Sequence, residues 1–184
     1  MKSVIIFLSA LILLHSTEEE DCKVINETRE EFINLAEKKY GLKCFGTQAS
    51  FPQKLESIGA IFQLNKIISI EESREIIVNL VKEFQLIVNK NPKIAPILSQ
   101  VPFTADRIDI SLSLTDGKKL PPPDAFSHIF TSRGNIIFST HDEKKSIFNQ
   151  TKIYESLEDA CKKTGISLPL IRSMYSEKKN SDLK

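Results

Sequence analysis

The sequence predicts an α+β domain: a long amphipathic helix packed on a mostly antiparallel sheet of four to five strands, with flanking N- and C-terminal helices. Three observations predict it. From Ser69 to Asn91 apolar residues recur at three- and four-residue steps, from Ile108 to Thr115 they alternate, and the order of elements is helix, strand, long helix, a run of strands, short helix. In the long segment, Ser69 followed by Glu72 is a capping box, in which each side chain accepts from an unpaired N–H at the helix start. Ile76, Ile77, Leu80, Val81, Phe84, Ile87 and Val88 form the apolar stripe, Glu75, Asn79, Lys82 and Gln85 the wet face, and Asn91-Pro92 the stop. Burying that stripe is worth on the order of 10–20 kcal/mol before ordering entropy is subtracted.

The chain opens with Met1-Lys2-Ser3 and the apolar run Val4 to Leu14. A membrane-spanning helix needs roughly 20 apolar residues, so the run is short for a span and fits a secretory signal peptide cleaved near Ser16 or Thr17. An uncleaved anchor is the alternative. Glu19, Glu20 and Asp21 before Cys22 do not suit lipid attachment. The expected organisation is a signal peptide over 1–17, a single α+β domain over 18–175 and a disordered tail over 176–184. A secreted or extracytoplasmic location follows from that reading.

Composition narrows the function classes. The net charge is +1, with 25 Lys+Arg against 24 Asp+Glu mixed along the chain, so no basic face for nucleic acid is implied. Hydrophobic residues make up 41% of the 184, enough for an ordinary core.

Taking the elements in order, Asn26 to Tyr40 reads as a first helix with Arg29, Phe32, Leu35, Ala36 and Tyr40 along one side and Gly41 as its stop. Leu42 to Glu56 has no clear period and reads as a loop. Ile58 to Ile67 alternates as a half-buried strand, with Ile58, Ala60, Phe62 and Leu64 on one face. Beyond the long helix, Pro92 to Ser99 makes a turn or two with Ile94, Ile97 and Leu98 inward, and Val101-Pro102-Phe103 is extended. Ile108, Ile110, Leu112 and Leu114 alternate with Asp109, Ser111, Ser113 and Thr115, and Asp116-Gly117 turns the strand. Pro121-Pro122-Pro123 is a stiff connector. Ala125 to Thr131 and Ile136 to His141 form a hairpin about Ser132 to Asn135; Asp142 to Lys145 is a charged turn, and Ile147 to Tyr154 a polar edge strand. Ser156 opens a short helix that Gly165 closes, and Pro169 to Tyr175 adds a further turn. This element order resembles that of cystatin-like and nuclear-transport-factor-like folds, a likeness of layout that carries no activity with it.

Candidate chemistry is sparse. With Thr131 opposite Ile136, His128 faces Ser139 and His141 lies one diagonal away, so His128 and His141 are the candidate ligand-binding residues. A third ligand is not evident, no metal or cofactor is assigned, and the competing reading places both histidines at the border of the core. No G-x-S-x-G occurs, and Cys44 near Gly46 has nothing in its neighbourhood to mark it as a nucleophile. The three cysteines, Cys22, Cys44 and Cys161, leave one unpaired if any disulfide forms; a Cys44–Cys161 bridge competes with free, partly buried thiols. Asp106, Arg107 and Asp109 read as a surface charge cluster at a strand entrance. Asn26-Glu27-Thr28 and Asn149-Gln150-Thr151 match the glycosylation acceptor.

Two functions of different class remain. The first is an exported, non-enzymatic binding module whose partner is another protein, with neither nucleic acid nor a stable membrane span after cleavage. The second is a small-molecule binder or enzyme with a pocket between the long helix and the sheet, lined by His128, His141, Phe126, Phe130 and Phe138. The oligomeric state is left open by the sequence.

Overall fold

The capping box is formed as the sequence predicts. Glu72 N–H donates to Ser69 Oγ at 3.1 Å and Ser69 N–H donates to Glu72 Oε2 at 2.9 Å. The helix it starts, α2, spans Ile70–Lys90. In this computed structural model residues 2–116, 126–140 and 151–169 are described, with side chains from residue 18 onward. His141, Pro121-Pro122-Pro123, the charged turn from Asp142, the Asn149 sequon and the tail from Ser176 lie outside the described residues.

Ahead of α2 come α1 (Lys2–Tyr40), β1 (Lys43–Ser50) and β2 (Ser57–Leu64); after it come short 3-10 turns at Ala95–Ile97 and Ala105–Arg107, then β3 (Ile108–Leu114). The chain continues through β4 (Phe126–Ser132), β5 (Asn135–Thr140), β6 (Lys152–Ser156) and α3 (Leu157–Thr164). The α+β class is as expected, while the sheet differs in detail. It has six strands in sequence order, and β2 and β3 are parallel. A hairpin can only return antiparallel, whereas the crossover through α2 brings β3 back in the direction of β2. The extra strand is β1, in the stretch expected to be a loop. It lies at the sheet edge with most of its residues exposed and none fully buried, Cys44 and Gly46 being half-buried.

α1 lies against β1 and β2, α2 against β3 and β4, and α3 against β5 and β6, so one face of the sheet is covered. Here β2 contributes Ile58, Ala60, Phe62 and Leu64, and β3 contributes Ile108, Ile110, Leu112 and Leu114, all buried. Phe32 of α1 stacks on Phe84 of α2 at 4.0 Å between ring centroids and meets Phe62 edge-on at 5.8 Å. All three rings are fully buried. The space between the long helix and the sheet is therefore packed where the sequence reading expects a pocket. Thr28, the sequon threonine, is buried too, donating to Val24 O at 2.8 Å and accepting from Asn91 Nδ2 at 2.9 Å.

Two polar fastenings were not legible beforehand. Gln85, expected on the wet face, is buried because the segment after cis-Pro102 packs against it. Gln85 Nε2 donates to Phe103 O at 3.1 Å, and the Asn89 amide takes Phe103 N–H at 2.7 Å and returns Nδ2–H to Phe103 O at 2.9 Å. The second is an ion pair. Arg74 Nε contacts both oxygens of Glu155 at 3.1 and 2.9 Å, and Lys163 Nζ reaches Glu155 Oε1 at 2.9 Å, which ties α2, β6 and α3 together.

Among the described residues no helix is long and apolar enough to cross a membrane. Cys22, Cys44 and Cys161 are free thiols. Cys44 lies on one edge strand, and Cys161 lies on the helix that packs at the other edge.

Candidate functional site

The expected hairpin register is present: Thr131 pairs with Ile136 and His128 with Ser139. On its other side His128 pairs with Ser113 of β3. The imidazole is held at both nitrogens, with Ser113 Oγ 2.9 Å from Nδ1 and Ser111 Oγ 3.2 Å from Nε2. Burial lowers its pKa below the ordinary histidine value, so the neutral ring is favoured. A neutral imidazole donates at one nitrogen and accepts at the other, so one serine accepts from it and its neighbour donates to it. Among the described residues no group of three or more His, Cys, Asp or Glu could hold a metal ion.

His128 stands in phase with Ser113, on the face of the sheet opposite α2, whereas Phe138 belongs to the covered face. A register shift between Phe126 and His128 carries Phe126 to the covered side, where its ring meets Phe138 at 6.1 Å. The bulge thus separates residues that strict alternation groups together. Among the described residues of the expected lining set, Phe130 stays with His128, at 6.0 Å between ring centroids. The Ser111 and Ser113 partners were missed because the sequence shows the alternation of β3 but not that β3 borders β4.

A second polar site opens at the end of the sheet where β2 and β3 begin. The β3–β4 pairing extends from Ser113↔His128 to Ser111↔Phe130. Beyond it, the Thr131 hydroxyl replaces the ladder, accepting from Ile110 N–H at 2.7 Å and donating to Ile108 O at 2.9 Å. There a cleft of about 520 Å³ is lined by Glu56, Ser57, Asp106, Asp109, Ser132 and Arg133 among others. The tight β4–β5 turn supplies one wall, with Arg133 at φ 48° and Gly134 at φ 77°. Gly59 next to it allows the close approach of β2 to β3, since a Cβ there would fall 2.1 Å from Asp109 O.

Asp106, read from sequence as surface charge, is buried. Phe103, Thr104 and Ala105 before it are buried as well, so packing of the whole turn, not strand alternation, withdraws it from water. The Gln85–Asn89 clamp on Phe103 fixes the approach to this segment. Burial raises the Asp109 carboxyl above its ordinary value, with the Ser57 hydroxyl and the Arg133 charge working against the rise. Arg107 also lines the cleft, its Nη1 donating to Glu56 O at 3.0 Å and Ser99 Oγ at 3.3 Å.

The third candidate surface is the outer edge of β1. No strand pairs with that side among the described residues. The strand is eight residues long, with a bulge between Cys44 and Gly46 that leaves Phe45 60% exposed. At its start Cys44 N–H donates to Glu37 Oε1 at 3.1 Å, so α1 closes one end of the edge. From Gly46 to Ser50 the strand has neither charge nor proline. No known protein family, characterised protein or solved structure matches the chain.

Proposed function

We propose that this chain is a non-enzymatic binding module that takes up an extended polypeptide segment along the outer edge of β1. The carrying observation is that edge: an exposed eight-residue strand, unpaired on its outer side among the described residues. Backbone N–H and C=O groups in such a row pair with any extended chain, and natural folds usually guard them with charge, proline or a short strand. The opposite edge is guarded in that way. β6 has only five residues, carries Lys152 and Glu155 and runs directly into α3. The partner is an extended segment with an apolar side chain to meet Phe45, beside which Lys43 stands at 5.3 Å from the ring. The export reading of Met1 to Leu14 puts that partner outside the cytoplasm.

Selection from a displayed library of random linear peptides, followed by amide hydrogen exchange on the complex, tests the reading. Selected peptides protect the backbone of Phe45 to Ser50, and Gln48→Pro weakens them while leaving the melting temperature near that of the parent. Protection confined to Phe130, Ile137 and the His128 surroundings would overturn it. That second outcome belongs to a small-molecule or peptide site on the open face, the reading favoured by the neutral His128 held between Ser111 and Ser113.

A further inference from the structure

The cleft at the start of β2 and β3 holds a carboxylate oxygen without a donor. Asp106 is only 8% exposed, and among the described residues its Oδ1 is buried with no hydrogen-bond partner, as is the Nε of the neighbouring Arg107. Water solvates a carboxylate oxygen strongly, so a fold that withdraws one without supplying an N–H or O–H loses free energy. The position is not an accident of a loose loop. The 3-10 turn carrying Asp106 is anchored at Phe103 by Gln85 and Asn89, and the Asp106 Cβ packs 3.4 Å from where a Cβ on Gly134 would sit.

From this we infer that the cleft binds an organic cation, an ammonium or guanidinium group seated between Asp106 and Asp109. Three carboxylates, Glu56, Asp106 and Asp109, line the cleft against two guanidinium groups, Arg107 and Arg133, so the lining favours a cation. A hard divalent metal fits poorly. It takes six or more oxygen ligands, and no set of three or more metal-ligating side chains forms here among the described residues. An N–H cation needs only acceptors at hydrogen-bonding angles, and the hydroxyl oxygens of Ser50, Ser57 and Ser132 add to the two carboxylates. The cleft volume of about 520 Å³ suits a small amine or one long basic side chain. Asp109 benefits as well: burial raises its half-buried carboxyl, and a bound cation adds to the opposing effects of the Ser57 hydroxyl and the Arg133 charge. This inference stands apart from strand addition at β1 and does not depend on it.

The test is titration of the full chain with agmatine, putrescine, an end-capped arginine peptide, calcium and magnesium, followed by calorimetry and amide NMR. Agmatine or putrescine gives saturable binding with shifts at Ser57, Asp109 and Ser132 to Gly134, weakened about tenfold or more in Asp106→Asn. The melting temperature of the same variant, without ligand, reports on folding separately from binding. Tighter binding of the capped arginine peptide than of agmatine assigns the cation to a macromolecular side chain, and the reverse order to a free amine. Absence of saturable binding by every nitrogen cation, unaltered binding in Asp106→Asn, or binding of calcium or magnesium alone overturns the proposal.

Discussion

The two faces of the sheet are built from the same strands and do different work. On the covered face every second residue of β2 and β3 is buried beneath α1 and α2. On the open face the alternate positions of β3 are Asp109, Ser111 and Ser113, half-buried and joined to His128, Ser57 and Arg133 by hydrogen bonds and charge. Burial of apolar area sets the stability of the first, and geometry of polar groups sets the chemistry of the second. What this teaches is that a single alternating strand encodes both, its apolar phase closing the core and its polar phase lining the open face.

Phe84→Ala breaks the covered face most directly. It removes a fully buried ring stacked on Phe32, and the cost expected from chemical denaturation is about 3–5 kcal/mol. Glu155→Ala comes next, at about 3 kcal/mol, because it strands the buried Arg74 guanidinium without its partner. Replacing both, as Arg74→Met with Glu155→Leu, recovers much of that loss; a double variant no better than the single one means the pair contributes more than its desolvation takes away.

His128 sharpens the comparison through pH. Its folded pKa is depressed below the unfolded value of about 6.5, so the stability it contributes is present above that pH and is lost as pH falls through the folded pKa. Stability of the parent between pH 8 and pH 5 therefore drops more steeply than that of His128→Gln. Equal slopes would mean that the ring is solvated and the open face is not organised around it. The smallest effect is expected at Tyr154→Ser on edge strand β6. With Tyr154 67% exposed, the change stays within about 0.5 kcal/mol in the same denaturation assay, and a larger loss would show that the tyrosine is covered in solution.

How much of this was legible varies by face. The α2 stripe and its cap, the β3 alternation, the hairpin register and the Gly165 stop all read directly, because each is a local pattern with one periodicity. The edge strand β1 did not read, since an exposed strand has no buried side to print a pattern of two. The site residues were half-legible. The register of His128 opposite Ser139 was read, but its serines and the burial of Asp106 depend on which strand borders which and on where the Phe103 segment docks.

By itself the sequence determined the class of fold, the organising helix, the core residues of β2 and β3 and the pairing of β4 with β5. Those are consequences of apolar spacing, capping chemistry and turn length, all set within a few residues. Only the tertiary structure decided that β2 and β3 run parallel, that Gln85 and Asp106 are buried, that a bulge parts Phe126 from His128, and that the ends of β2 and β3 open into a charged cleft. Each of these is settled by contacts between segments far apart in the chain, where the cost of a buried polar group is weighed against packing that no local window contains.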